Sequence, residues 1–139
     1  MSKKIIADSG YWFALFNERD NYRTEALIIE EEIQMHSLLI PWPTLYEVIN
    51  TRFIRREHNA IQLKRFLDSP STILIEDGPY REASLAFVLE NRTHTYSLVD
   101  HIVRSMLEDI SLRIDAFIGF NPSDFYDICD SRGIEMLYR

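Results

Sequence analysis

Four short apolar runs, widely spaced, constrain this chain more than any other feature: Ile5-Ile6-Ala7, Leu38-Leu39-Ile40, Ile73-Leu74-Ile75 and Ala116-Phe117-Ile118-Gly119-Phe120. Each is too short for a helix, rich in strand-favouring residues and bounded by turn formers, so each reads as a buried strand. The intervals carry helical periodicity instead. Strands buried on both faces and separated by helices imply a mostly parallel sheet covered by helices. An α/β architecture follows, and the absence of a linker, repeat or low-complexity segment makes residues 1–139 one domain.

The helices can be placed from their signals. Tyr11 to Phe16 is an apolar run that suits a short helix. Asp20 or Asn21 is the expected N-cap of an amphipathic helix reaching about Met35. Pro41-Trp42-Pro43 stops the second strand, and Pro43 opens a helix on which Leu45, Val48, Ile49 and Phe53 recur. Another helix is expected over about residues 60–67, closed by Ser69-Pro70-Ser71. Gly78-Pro79 begins a helix to about Glu90, and residues 91–96 form a polar loop. Leu98, Val99, Ile102, Val103, Met106 and Ile110 make a helical stripe. Residues 134–138 read as a possible edge strand.

In an open α/β sheet, ligands gather beyond the C-terminal ends of the strands. Acids stand at those places. Asp8 ends the first strand, and Glu47 lies on the first turns of the helix after the second. Asp100 starts the helix at Leu98, and Asn121 and Asp124 follow the fourth strand. Taken singly, each has an ordinary explanation. Asp8 suits a turn, and Glu47 lies off its helix's apolar stripe. Ser97 and Asp100 are spaced as a capping box, and Asn121-Pro122-Ser123-Asp124 suits a turn. Taken together, carboxylates crowded into one hollow raise each other's pKa unless a cation intervenes. Hard divalent ions accept oxygen donors and activate water, which suits hydrolysis of phosphodiesters without a Ser, Cys or His nucleophile.

A net charge of −7 is unfavourable for binding nucleic acid at long range. The distribution matters more than the sum. Arg52, Arg55, Arg56, Lys64 and Arg65 lie close together with only Glu57 among them, and Arg52, Arg55, Arg56 and Lys64 are candidates for gripping a phosphate backbone. A solvated helix face is the plainer reading of the same residues. The single cysteine, Cys129, cannot form an internal disulfide. No run has the length of a signal peptide's core or of a membrane span, so a cytoplasmic location is expected. Tyr11, Trp12, Trp42 and Tyr46 hint at a protein-binding groove or a homodimer face.

Five segments, in order, resemble the PIN-domain ribonucleases, and among them the VapC-like toxins of type II toxin–antitoxin pairs. They are Ile5-Ile6-Ala7-Asp8-Ser9, Asp20-Asn21-Tyr22-Arg23-Thr24-Glu25-Ala26, Pro41-Trp42-Pro43-Thr44-Leu45-Tyr46-Glu47-Val48, Tyr96-Ser97-Leu98-Val99-Asp100 and Ile118-Gly119-Phe120-Asn121-Pro122-Ser123-Asp124-Phe125. The resemblance implies a three-layer α/β/α sandwich around a central sheet of four or five mostly parallel strands. It implies a Mg²⁺- or Mn²⁺-dependent endoribonuclease using Asp8, Glu47 and Asp100, with a fourth metal ligand from Asn121 or Asp124, and Ser9 and Ser97 supporting the ligands. It also implies a cognate antitoxin, a homodimer, and products ending in 5′-phosphate and 3′-hydroxyl. The chain departs from the family's commonest pattern in two places: Asn121 stands where aspartate is usual, and Arg23 where histidine is frequent.

Two other readings compete. A PIN-like module without catalysis, binding RNA or a protein, is compatible with Asn121. A receiver-like regulatory domain also has an acidic pocket beside a parallel sheet. That class wants an acidic pair after the first strand and a lysine after a late one. Asp8-Ser9-Gly10 lacks the pair, and no lysine follows Arg65.

Overall fold

A computed structural model describes residues 2–92 and 96–137. Five strands form one sheet: β1 (Lys4–Ala7), β2 (Ser37–Pro41), β3 (Thr72–Ile75), β4 (Ala116–Ile118) and β5 (Glu135–Leu137). Their order is β3-β2-β1-β4-β5, and every pairing is parallel. Seven α-helices accompany them: α1 (Ser9–Phe16), α2 (Arg23–Glu32), α3 (Trp42–Ile49), α4 (Glu57–Asp68), α5 (Gly78–Glu90), α6 (Leu98–Glu108) and α7 (Tyr126–Arg132). None is long and apolar enough to cross a membrane.

The strand residues explain the layering. Along β1, Ile5 and Ala7 face one side while Ile6 faces the other, as the period of two demands. Ile5, Ala7, Leu38, Ile40, Ala116 and Ile118 join Tyr11, Trp12, Leu15, Ile29, Leu45 and Leu63 in one core. Ile6, Leu39, Ile75 and Phe117 join Ile102, Val103, Met106, Phe125 and Ile128 in the other. Helices α1–α4 therefore cover one face, and α6 and α7 the other, with α5 packed against α6. This is the expected α/β/α sandwich, and its sheet is parallel throughout.

Several boundaries differ from expectation for identifiable reasons. The Asp20 carboxylate accepts from the Tyr22 amide at 2.8 Å, and its carbonyl accepts from the Arg23 amide at 3.1 Å. These bonds close a turn, so α2 starts at Arg23, and its expected last turn tightens to a 3-10 helix over Ile33–Met35. Phe53 leaves α3's stripe because a separate 3-10 helix, Arg52–Arg55, follows α3. α4 begins three residues before the expected start, at Glu57. Strand β4 ends at Ile118 because Phe120 turns away to stack on Tyr22, with ring centroids 4.8 Å apart and planes at 4°. Gly119 permits that exit, since a Cβ there would meet the Phe117 ring at 2.6 Å. Helix α7 was not anticipated. Its end is marked only by Gly133 in the left-handed conformation, φ 67°. Residues 93–95 of the expected polar loop, and Tyr138 of the expected edge strand, lie outside the described residues.

The aromatic expectation needs correction. Tyr11 and Trp12 are wholly buried core residues, because α1 is enclosed by α2, α3, α4 and the sheet. Tyr46 is exposed, and Trp42 is partly buried beside it.

Candidate active site

The strand order fixes where a site can form. From β1 the chain builds outward through β2 to β3, then returns to place β4 on β1's opposite edge. The succession reverses between β1 and β4, and a crevice opens at such a reversal beyond the carboxyl ends. Asp8 follows β1 directly, its amide donating to the Ile118 carbonyl of β4 at 2.9 Å. The turn carrying Asn121 and Asp124 leaves β4 at the same mouth, and α3 rises from neighbouring β2 with Glu47 on its second turn.

The pKa shifts show which acids feel one another. Asp8 is buried, and burial followed by the charges of Asp100, Glu47 and Asp124 pushes its carboxyl up to about 7. Burial also raises Glu47, partly offset by its bond from Ser9, and Asp100 adds to the rise. Asp100 is raised by burial and by Asp124, and hydrogen bonds from Ser97 pull it partly back. The four acids named from the sequence thus share one electrostatic environment. Scattered surface carboxylates would not couple this way.

Local hydrogen bonds set their directions. The Ser9 hydroxyl, on the first turn of α1, donates to Glu47 Oε1 across to α3. Ser97 caps α6 by accepting from the Asp100 amide at 3.0 Å, so the capping reading and the site reading hold for the same pair. In the β4 turn, Asn121 Nδ2 donates to Asp124 Oδ2 at 2.6 Å, and Asn121 Oδ1 accepts from the Ser123 hydroxyl at 2.9 Å. Asn121 is therefore engaged within its own turn, and it is Asp124 whose charge reaches Asp8 and Asp100.

Asp8 Oδ1 is buried and has no hydrogen-bond partner among the described residues. An unpartnered carboxylate oxygen costs free energy unless a proton or cation satisfies it. The surrounding donors are all oxygens, the set preferred by Mg²⁺ and Mn²⁺. Among the described residues, no three acidic, histidine or cysteine side chains are gathered tightly enough, as they stand, to hold an ion. Glu47 is turned to Ser9 and Asp124 to Asn121. The oxygen donors and the unpartnered Asp8 Oδ1 are chemistry that fits a divalent cation.

An arginine invisible to the sequence reading supports the site. Arg104, one turn beyond Asp100 on α6, donates from Nη1 to the Asp124 carbonyl at 2.6 Å. It also forms a two-pronged bond to Asp127 at 2.8 Å on each oxygen, and its guanidinium lies 4.5 Å from the centre of the Tyr96 ring. Asp127 falls to about 2 through this partner. The clamp fixes the turn bearing Asp124 to α6 bearing Asp100. A mid-helix arginine and an aspartate far along the chain gave no periodic signal to find it by.

The basic candidates divide. Arg52 and Arg56 line a cleft of about 470 Å³ together with Asn17, Glu18, Arg19 and Phe53. Arg55 is not part of that lining. Lys64 is exposed on α4 and paired with Asp68 at 2.9 Å, the helix-face arrangement.

No protein-family model matches this sequence, and no curated protein shows a significant match to it. The structure does find counterparts. Mycobacterium tuberculosis VapC20, described as a sarcin–ricin loop cleaving toxin, superposes with a TM-score of 0.70 at 17% identity. The match covers 88% of this chain and 94% of that one. At such identity the likeness speaks for architecture alone, and that architecture agrees with the five segments read from the sequence. The chain has a VapC-like PIN fold.

Proposed function

We propose that this protein is a Mg²⁺- or Mn²⁺-dependent endoribonuclease, acting in the cytoplasm as the toxin of a toxin–antitoxin pair. One observation carries the reading: a buried aspartate with an unpartnered oxygen at the β1/β4 reversal, raised to about 7 by burial and by three neighbouring acids. A fold concerned only with its own stability gains nothing from such an arrangement.

Asp8, Glu47, Asp100 and Asp124 are the residues to hold the ion, with Asn121 able to add a carbonyl oxygen. A bound divalent ion supplies a water of lowered pKa and a positive charge against the phosphate. Glu47, aimed by the Ser9 hydroxyl, orients the attacking water in line with phosphorus. Ser97 holds Asp100 to the first turn of its helix, and Arg104 holds the Asp124 turn against the same helix. Arg52, Arg55, Arg56 and Lys64 are the proposed contacts to RNA. The solved relative's stated target makes a sarcin–ricin stem-loop a reasonable second substrate to try beside unstructured RNA.

The partners belong to the same proposal. An antitoxin that covers the pocket would present a basic side chain to its uncompensated acids. A homodimer is supported by exposed apolar residues, Tyr46 and Ile49 on α3 and Leu85 and Leu89 on α5. Light scattering of the purified protein and co-purification with a neighbouring small protein test these two points.

The decisive assay is cleavage of labelled RNA in Mg²⁺, Mn²⁺ or EDTA. Activity should require a metal and disappear in folded Asp8→Asn and Asp100→Asn variants. Cleavage in EDTA at the full rate would defeat the mechanism. The second reading, a PIN-like module without catalysis, draws on Asn121's place in the turn and on the open spacing of the acids. Calorimetry separates the two, since the enzyme should bind Mn²⁺ at this pocket and the inert module should not.

A further inference from the structure

Charge in this molecule is segregated. An acidic hollow occupies the mouth of the sheet, and a second depression is walled by arginines. One wall of that cleft is the turn Asn17-Glu18-Arg19 closing α1, and the other is the 3-10 helix Arg52–Arg55 with Arg56. Arg19, Arg52 and Arg56 form no ion pair among the described residues. Glu18 alone opposes them in the lining. In a chain of net charge −7, three exposed guanidiniums facing one acid in a single concavity are a local reversal of the field.

The walls are held. The Asn17 side chain accepts from the Arg19 amide at 3.1 Å, shaping the first turn. Asn59, buried at the start of α4, donates to the Phe16 carbonyl at 3.1 Å and to the Phe53 carbonyl at 2.9 Å, so one amide group ties the two walls together. Arg52 lies over the Phe53 ring, 5.5 Å from its centre, which limits its freedom further. A preorganised set of guanidiniums loses less entropy on meeting an anion than free side chains do.

The cleft also stands in a definite relation to the acids. Both walls continue elements that carry the acids: α1 starts at Ser9 beside Asp8, and α3, with Glu47 on its second turn, leads into the 3-10 helix. Helix α1, eight residues long, spans about 12 Å, so the arginines lie roughly one short helix from the acids.

We infer that this cleft is a phosphate-binding subsite for the RNA strand, in which Arg19, Arg52 and Arg56 hold backbone phosphates a few nucleotides from the bond to be cut. This rests on the ribonuclease reading and adds Arg19, which the basic run in the sequence did not include. Lys64, paired with Asp68 on α4, stands outside the cleft.

The test uses the full-length protein in EDTA, so that RNA is bound without being cut. Binding of a fluorescent single-stranded RNA is followed by anisotropy across a salt series. Replacing Arg19, Arg52 and Arg56 together by Ala should weaken binding by roughly 10²-fold at low salt, and lower the slope of log K against log salt by about two. A control that removes the same charge elsewhere, Lys3→Ala, Arg113→Ala and Arg132→Ala, should leave the slope within about half a unit. Equal slopes for the two triple variants would overturn the inference. So would displacement of the RNA by a glutamate-rich peptide in the wild type at concentrations matching unlabelled RNA, which would mark the cleft as a protein-binding site. The two claims fail separately. Loss of the slope with no cleavage in any metal leaves the subsite and removes the nuclease, and metal-dependent cleavage with an unchanged slope does the reverse.

Discussion

Asp8 and Asp127 both stand beside the turn that carries Asp124, yet burial among acids pushes Asp8 up to about 7, whereas Arg104 draws Asp127 down to about 2. In the first region like charges gather, and among the described residues no cation is a cause of the shifts of Asp8, Glu47 or Asp100. The second answers its carboxylate with a guanidinium in two-pronged contact, at a spot where Arg104 is largely buried. The chain is therefore able to neutralise an acid next to its site and does so for Asp127. That it leaves Asp8, Glu47 and Asp100 raised is the contrast on which the proposed metal site rests.

Experiments that set these two regions against each other follow in order of expected size. Asp8→Asn should lower metal-dependent RNA cleavage by about 10³-fold, measured as kcat/KM on a folded variant. The same change should stabilise the metal-free protein. A carboxyl raised in the folded state holds its proton more tightly there than in the unfolded chain, so its stabilising contribution is complete at low pH and is lost as pH rises through about 7. Thermal unfolding in EDTA should show stability declining by up to about 4 kcal/mol between pH 4 and 7.5, and Asp8→Asn should flatten most of that slope. A slope unchanged by the substitution would place the burden on Glu47 and Asp100, which are raised in the same direction.

On the clamp, Arg104→Met leaves the Asp124 carbonyl and the Asp127 carboxylate without their donor. It should cost about 2 kcal/mol of stability and weaken Mn²⁺ binding, read by chemical denaturation and calorimetry. Asp127→Asn, on the exposed side of the pair, should cost about 0.5 kcal/mol and leave Mn²⁺ affinity close to wild type. Equal effects from the two would show the arginine acting as a surface partner only.

The sequence carried the α/β class because strand runs and helical stripes are local patterns, and each strand run from β1 to β4 was recovered within two residues at either end. The acids could be nominated for the same reason: Asp8 and Asp124 follow strands, Asp100 lies in the first turn of its helix, and Glu47 sits on the helix after β2. What escaped depends on contacts distant in sequence. Arg104 meets Asp127 only because α7 folds onto α6, and Asn59 resembles any helix-start asparagine until its amide is seen between two carbonyls. Tyr11 and Trp12 were misplaced because an aromatic pair carries no mark of which layer will cover it. Among the basic residues, proximity along the chain grouped Lys64 with Arg52, while the fold groups Arg52 with Arg19 across the cleft.

Asn59 has a further implication. The carbonyls of Phe16 and Phe53 lie near the ends of their helices, and a single side-chain nitrogen donates to both, joining the Arg56 amide at Phe53. Parting α1 from the segment after α3 would take the Asn59 donor from the Phe16 carbonyl, the Phe53 carbonyl, or both, so the groove floor resists opening. Any nucleic acid that enters must adapt to a fixed width, and selection among RNAs would then act on the shape the strand can assume there.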